Sequence, residues 1–203
     1  MKISGCCRIH QNKVLVNGKK YFASDNSQHD ELSMQLYRFL KTEYPKFYKM
    51  DLLSKMGFLA TEIICQTTPA ISKFTDDEIA LLFANSHSCS ESDERFNHSF
   101  KVEKSPSPAQ FVYTLPNILL GELAIRNKWY GENLFTLLPA FSAEYFSSQA
   151  GIFVPQKAKA LLCGWVNLFP VTDVFVFFAE SNSETAQEVL DSKEIEHWYN
   201  NKT

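Results

Sequence analysis

The chain has 203 residues, of which 45% are hydrophobic and 17 are phenylalanine, so it can bury a core without disulfides or structural metal. A net charge of −3 and a pI near 6.0 argue against a nucleic-acid-binding surface. No run of 18 apolar residues is present to span a membrane, and the N-terminus lacks the pattern of a secretory signal. We therefore expect a cytoplasmic protein.

The five cysteines are an odd number on a chain without a secretory signal, which predicts unpaired thiols. Cys65 and Cys163 lie inside apolar runs and are predicted to be core thiols. Cys6, Cys7 and His10 carry donor atoms for a metal, but adjacent cysteines fit one tetrahedral ion poorly and no second ligand pair follows. We expect strand thiols here, with no metal and no cofactor.

The N-terminal part of the chain predicts strands followed by helices. Asn17-Gly18 is a strong turn signal, which predicts one or two short strands and a hairpin. Residues 32–40 have helical apolar spacing that ends before Pro45. Residues 47–66 form the first strong helical pattern, and 79–84 form a continuous apolar run of strand length. A Ser-rich turn and a short helix are expected to follow.

The stretch 105–133 is predicted to hold the central helix of the fold. Thr114 is a candidate cap, Pro116 suits the first helical turn and Gly131 can end the element. Because apolar residues cover more than one side of this helix, we expect it to be buried. The residues expected to point outward, the first two as an i,i+4 ion pair, are Glu122, Arg126 and Lys128.

The C-terminal part alternates strands and helices. We predict a buried strand at 134–138, a turn at 139–142, a helix at 143–153, and strands at 158–166 and 174–179. Ser181 and Glu184 form a capping box for a last helix that runs through Trp198. Helices that alternate with fully apolar strands indicate a three-layer α/β domain.

Four motifs occur in an order and spacing that identify a family. They are Lys49-Met50-Asp51, then Phe83-Ala84-Asn85-Ser86-x-Ser88, then Ser107-Pro108-x-x-Phe111 with Pro116-Asn117 and 121–125, and finally Gly131-Glu132-Asn133. Together they resemble the N-terminal half of the β-ketoacyl synthases, and the signature from Ser107 to Asn133 is the specific part. The resemblance implies a thiolase-like half, three-layer α-β-α with a mixed central sheet. Residues 1–203 would form a single ketosynthase N-terminal-like domain.

The family's nucleophile has no counterpart in this chain. Active ketosynthases carry a cysteine at the start of a buried helix, where the helix N-terminus stabilises the thiolate. Counting from Gly131 puts that position on Ala140, whereas aligning the surrounding motif puts it on Phe141. The family's catalytic histidines come from a C-terminal half that this sequence does not contain. The resemblance therefore implies a catalytically inactive protein rather than an enzyme.

Ser142 is a weak candidate for a substitute nucleophile, because it follows a strand and opens a predicted helix. The Gly-x-Ser-x-Gly context is absent and no base is identifiable, so a helix-capping serine is the expected role. The alternative function is an acyltransferase or hydrolase that acts through Ser142 or through a composite site with a partner ketosynthase. A third is an acyl-binding module with a pocket near Phe141, although we expect that ring to fill the space.

The resemblance also implies association. In the family, the strand that follows the signature pairs across a dimer axis, and an unpaired strand edge is a known association hazard. We therefore expect a homodimer, or a heterodimer with a full-length ketosynthase, as an accessory component of type II fatty acid or polyketide synthesis. An acyl carrier protein is a further candidate partner. The residues predicted at the dimer interface are Leu134, Phe135, Thr136, Leu137 and Leu138.

Overall fold

The strands form one mixed sheet in the computed structural model, which describes residues 1–24, 29–153, 158–181 and 190–201. Within these ranges the strands are β1 (Lys2–His10), β2 (Lys13–Val16), β3 (Lys19–Ala23), β4 (Ile79–Asn85), β5 (Asn133–Leu137), β6 (Ala160–Asn167) and β7 (Asp173–Glu180). They lie side by side in the order β3-β2-β1-β7-β6-β4-β5. The predicted mixed sheet is confirmed.

Helices connect and cover these strands. In the described ranges they are α1 (His29–Leu40), α2 (Leu52–Thr67), α3 (Ser90–Lys101), α4 (Pro108–Val112), α5 (Ile118–Asn127), α6 (Ala143–Phe153) and α7 (Ser192–Asn200). Two 3₁₀ helices occupy Pro45–Lys49 and Pro69–Lys73. No helix among the described residues is both long and apolar enough to cross a bilayer.

The first three strands form an antiparallel meander at one side of the sheet. Val16 pairs with Lys19 across Asn17-Gly18, whose φ angles of 49° and 73° are those that a two-residue hairpin turn needs. The predicted hairpin is therefore confirmed. A second tight turn at Gln11-Asn12 joins β1 to β2, so this segment has one more strand than the sequence predicted.

The remaining strands pair in both directions. β4 lies between β5 and β6 and is parallel to both, whereas β7 is antiparallel to β6 and to β1. The predicted strands at 79–84, 158–166 and 174–179 are confirmed with small shifts at their ends. The predicted strand at 134–138 also forms, but it is not buried. β5 is an edge strand, so its side chains are only half-covered and Leu137 is 56% exposed.

Two hydrophobic cores lie on opposite faces of the sheet. On the first, called the α2 face, helices α1, α2 and α5 pack against side chains that include Cys7, Phe83 and Phe178. On the second, called the α6 face, α6 and α7 cover Cys163, Phe177 and their neighbours. Helices on both faces of a mixed sheet make three layers, as the sequence predicted.

The central helix of the fold is α2. Most of its side chains are buried, including the whole run from Met56 to Ile64, and it packs across β1, β6 and β7. The prediction that the helix after Pro116 would be central was wrong. That helix, α5, lies beside α2 near the edge strand β5, and its outer side is open, with Ile125 64% exposed.

The charged residues of α5 also differ from the prediction. Glu122 was predicted to point outward, but it is only 4% exposed. Its carboxylate accepts a hydrogen bond from the Tyr113 hydroxyl and forms an ion pair with Lys46. Arg126 does not pair with Glu122 but binds Glu62 of α2 through two nitrogens, at 3.0 and 3.2 Å. The i,i+4 spacing predicted a contact between neighbours on one helix, but each residue pairs with a group on another element instead.

The ends of α5 are set by residues other than those predicted. Thr114 donates its hydroxyl to the carbonyl of Phe111 and does not cap α5. At the other end, α5 is terminated by Lys128, which follows Asn127 and has a left-handed backbone conformation with φ 59°. Gly131 has a different role, because a Cβ there would lie 2.2 Å from the carbonyl oxygen of Ile79. It lets the chain pass close to the start of β4.

Two helix starts also differ from prediction. α2 was predicted to begin at residue 47, but it begins after Asp51, which caps it by accepting from the N–H of Ser54 at 3.0 Å. α7 begins after Asp191, whose side chain accepts from the N–H of Lys193. The predicted capping box at Ser181 and Glu184 extends into 182–189, which lies outside the described residues.

Candidate functional site

The carboxyl ends of β4 and β5 lie side by side at one end of the sheet. The chain leaves β4 toward α3 on the α2 face, whereas it leaves β5 toward α6 on the opposite face. Adjacent parallel strands whose connections leave on opposite sides form the usual ligand crevice of α/β sheets. The N–H of Leu138 donates to the carbonyl of Asn85 at 2.9 Å and holds the two strand ends together. The candidate site thus lies between 85–88 and 139–142.

Phe141 packs in an aromatic cluster on the α6 side of this crevice. Its ring stacks on Tyr199 of α7, with 3.7 Å between centroids and 11° between planes. The rings of Phe146, Trp165 and Phe175 lie 5.8, 6.2 and 5.9 Å away. One of the two positions predicted for the family's nucleophile is therefore filled by a large apolar side chain that is held between other rings.

The residues on either side of Phe141 have simpler surroundings. Ala140, the other predicted position, is exposed in the turn after β5. Ser142 accepts the N–H of Tyr145 on its Oγ at 3.1 Å and donates to a carboxylate oxygen of Glu144 at 3.2 Å. Ser142 thus caps α6, as the sequence predicted, and its proton goes to an exposed acid rather than to a histidine.

The histidine at the crevice is engaged elsewhere. His87 Nδ1 lies 2.6 Å from the hydroxyl of Ser86 and 3.2 Å from Oδ1 of Asn167, and Ser86 donates to the same Oδ1 at 2.8 Å. The amide nitrogen of Asn167 donates to the carbonyl of Phe169, which fixes its oxygen toward Ser86 and His87. Asn167 Oδ1 accepts from the Ser86 hydroxyl, so Ser86 is held as a donor to an amide and is not activated as a nucleophile.

The cysteines have no thiolate character at this site. Cys163 is fully buried within β6, and burial raises its pKa. Burial, then the acids Asp51 and Asp93, raise the pKa of Cys89 to about 12. Cys6 and Cys7 project into opposite cores, which excludes their joint binding of one ion. In the described part of the chain, no group of three His, Cys, Asp or Glu residues could hold a metal.

A buried ion pair lies beside the aromatic cluster. Arg8 is 2% exposed and donates to Asp173, to the carbonyls of Ile9 and Val174, and to the carbonyl of Tyr199. Asp173 also accepts from the Tyr199 hydroxyl at 2.5 Å and from Trp165 Nε1 at 3.2 Å. Burial alone would raise the pKa of Asp173, but the Arg8 charge and these hydrogen bonds together lower it.

The sequence did not predict this ion pair, the Asn167 acceptor or the contact from Tyr199. A charged Arg8 between the apolar residues Cys7 and Ile9 of a predicted strand was the one available signal, because buried charges require partners. The identity of the partner was not readable, since Arg8 and Asp173 lie 165 residues apart in the chain and meet only because β1 pairs with β7.

Comparisons with known proteins give structural neighbours only. No protein-family profile and no curated protein sequence matches the chain. A chain from the structure of the ishigamide ketosynthase/chain length factor superposes with a TM-score of 0.64 at 12% identity. The match covers 93% of this chain and 64% of the neighbour's chain. A chain from a ketosynthase in complex with its chain length factor from Xenorhabdus doucetiae gives 0.58 at 11% identity, with coverages of 90% and 79%.

A third neighbour comes from a type II polyketide synthase acyl-carrier protein in complex with its ketosynthase, with a TM-score of 0.57 and 12% identity. The match covers 88% of this chain but 61% of that one, so the protein spans less than two thirds of that neighbour's length. At these identities the similarity establishes the fold and not the activity. The protein has the thiolase-like α/β fold of ketosynthase and chain length factor chains, as its Ser107-to-Asn133 signature indicated.

Proposed function

We propose that this protein is a non-catalytic, ketosynthase-like subunit that associates with a second thiolase-like chain in type II polyketide or fatty acid synthesis. In this proposal, residues 1–203 form one ketosynthase N-terminal-like domain. The partner is a second copy or a full-length ketosynthase, and an acyl carrier protein is a further partner of the assembly. The structural neighbours come from complexes of ketosynthases with chain length factors or with an acyl-carrier protein, which supports this setting.

The observation that carries the non-catalytic part is the environment of Phe141. A phenylalanine cannot form an acyl-enzyme, and this ring is stacked on Tyr199 where an acyl group would need room. The alternative position, Ala140, also lacks a nucleophilic atom. Ser142 is occupied as the cap of α6, and its hydroxyl proton is donated to Glu144. These three residues leave the crevice without an activated nucleophile.

The contrast between the two edges of the sheet supports association through β5. The edge strand β3 carries the exposed residues Lys19 and Lys20, a common protection against edge-to-edge pairing. β5, at the other edge, reads Asn-Leu-Phe-Thr-Leu and carries no charge. An uncharged edge with half-exposed apolar side chains is suited to pair with another strand.

The backbone of β5 is oriented for such pairing. The carbonyl of Glu132 and the N–H of Leu138 bond to β4, and alternate residues of a strand point the same way. The N–H and C=O groups of Asn133, Phe135 and Leu137 therefore point away from β4, toward the open edge. An antiparallel pair centred on Phe135 would place Asn133 opposite Leu137 of a second copy, without juxtaposing like charges.

Intact-mass spectrometry tests the non-catalytic part. The protein is incubated with malonyl, acetyl and octanoyl thioesters, beside a Ser142→Ala variant as the matched control. We expect no mass increase for either protein. A covalent acyl adduct on the wild type that disappears in Ser142→Ala would overturn the proposal in favour of an acyltransferase or hydrolase.

Sizing chromatography with light scattering tests association. We expect the purified chain to have the mass of a dimer, or to form a one-to-one complex with a full-length ketosynthase that copurifies from its own host. A chain that is monomeric alone and stays monomeric in the presence of that ketosynthase contradicts the proposal.

A further inference from the structure

The side chain of Tyr199 occupies a socket on the surface of the α6 face. One wall of the socket is the ring of Phe141, on which Tyr199 stacks, and another is the edge of Phe175, 5.8 Å away. The Arg8 guanidinium lies 4.5 Å from the centre of the Tyr199 ring. At the end of the socket, Asp173 accepts the phenol hydroxyl at 2.5 Å. The socket thus contacts the two faces of a phenol ring with an aromatic ring and a guanidinium, and the hydroxyl with a carboxylate.

The socket would keep its shape without Tyr199. If the last turn of α7 moves, Arg8 loses its bond to the Tyr199 carbonyl but remains bonded to Asp173 and to the carbonyls of Ile9 and Val174, none of which belongs to α7. Trp165 continues to donate to Asp173. These bonds hold the carboxylate in place as a charged acceptor, and hydrogen bonds to a charged acceptor are stronger than neutral ones.

Tyr199 is placed where it can leave. It lies in the last turn of α7, which ends at Asn200, and terminal turns are among the parts of a fold that open most readily. Outside the socket, this turn is held by the Tyr199 carbonyl, which accepts from Arg8 Nε at 3.0 Å. The helix is anchored separately, through Ile195, which is fully buried, and through the buried Leu190 before it. Both Phe141 and Tyr199 are only partly buried, so the socket opens toward solvent. Withdrawing one side chain does not require the release of the whole helix.

We propose that this socket is a binding site for small hydroxyaromatic molecules and that Tyr199 is a built-in competitor for it. A bound phenolic ring stacks on Phe141, presents its face to Arg8 and donates its hydroxyl to Asp173. The ligand is recognised by the contacts that Tyr199 makes now, and it displaces the last turn of α7. The site does not depend on pairing at β5, so either proposal can fail alone.

The first experiment measures binding of p-cresol and toluene by calorimetry to the wild type, Tyr199→Ala and Tyr199→Phe. Removing an internal competitor raises the fraction of competent sites, so Tyr199→Ala should bind p-cresol at least about tenfold more tightly than the wild type. Toluene, which has no hydroxyl for Asp173, should bind this variant at least about tenfold more weakly than p-cresol does. Tyr199→Phe keeps the ring in the socket but loses the hydroxyl that binds Asp173, so it is a weaker competitor and should bind p-cresol more tightly than the wild type and less tightly than Tyr199→Ala.

A folded Tyr199→Ala variant that binds p-cresol no better than the wild type does, or no better than it binds toluene, overturns the proposal. The second experiment uses the wild-type protein, so it tests the proposal even if Tyr199→Ala does not fold. Saturating 2-naphthol should increase amide hydrogen exchange in the last turn of α7 and leave α6 unchanged. Unchanged exchange in that turn at saturating 2-naphthol also overturns it.

Discussion

Replacing Leu137 with proline tests whether β5 is the association edge. The N–H of Leu137 points away from β4, so proline at this position removes no hydrogen bond within the chain. Its ring takes the place of a hydrogen-bond donor on the open edge, where proline is a natural block to pairing. The variant should therefore fold like the wild type and associate less well.

The magnitude follows from symmetry. In a twofold pair centred on Phe135, the N–H of Leu137 donates once from each copy, so the variant loses two hydrogen bonds per dimer. At a net contribution of about 1 kcal/mol each, the dimer loses about 2 kcal/mol. Since about 1.4 kcal/mol corresponds to a factor of ten, the dissociation constant should rise about 30-fold.

Sedimentation equilibrium over a range of concentrations gives that constant, and urea unfolding of the monomer checks the fold. The matched control is Leu137→Ile, which keeps the N–H, the apolar volume and the strand propensity, and should leave the constant nearly unchanged. An equal dissociation constant for Leu137→Pro and the wild type, with both folded, would refute the assignment of this edge. Equal weakening by both variants would show that side-chain packing, rather than edge pairing, holds the dimer.

Three further substitutions test the packing and electrostatics of the site. Gly164→Ala should lower the free energy of unfolding by about 2 kcal/mol in urea titrations, because its Cβ would lie 2.2 Å from the ring of Phe83. Asp173→Asn should cost about 2–3 kcal/mol at pH 7 by leaving Arg8 unpaired. The pKa of Asp173 in the folded protein is lowered, so its stabilisation is complete above the unfolded pKa of about 4 and disappears as pH falls through the folded pKa. The difference between wild type and variant should therefore shrink in unfolding curves recorded below that pH, and a constant difference would contradict it. Ser142→Ala should lose about 1 kcal/mol of stability through its missing cap, and an unchanged melting temperature would argue against the capping role.

The strands in the middle of the sheet could be predicted from the sequence because they are buried on both faces. Residues 79–84 and 174–179 are continuous apolar runs, which is the pattern of a strand that is covered by helices above and below. The same rule failed for β5, which is almost as apolar but lies at the edge. An apolar composition indicates that the side chains of a strand will be buried, but it does not indicate whether they are buried by the same chain or by a second one.

The error on α5 has a related cause. Its apolar residues surround the helix, and this pattern predicts complete burial. In the structure the inner side, with Leu119 and Leu123, is buried, whereas Ile125 is exposed and the acid Glu122 is buried. The acid is held inside by Tyr113 and Lys46, which come from two other elements of the chain. A pattern along one helix carries no information about such contacts.

The candidate site was predictable only in part. Counting from Gly131 gave Ala140 as the position of the family's nucleophile, and aligning the surrounding motif gave Phe141. The capping role of Ser142 followed from its place between a strand and a helix. The contact of Phe141 with Tyr199 was not predictable, because it depends on where α7 lies on the sheet. The stretch before α7 gave no spacing rule from which that position could be derived.

The two lysines of β3 also determine how large an assembly can become. Strand pairing that leaves a new open edge continues indefinitely, which is the geometry of a fibre. If two copies join through β5, the strands at both ends of the doubled sheet are β3, and each end carries Lys19 and Lys20. Growth then stops at two chains, since a third chain would have to pair with a lysine-bearing edge, where exposed lysines oppose strand pairing. With the lysines of β3 at one edge of the sheet, β5 at the other edge can pair with a second chain without leading to polymerisation.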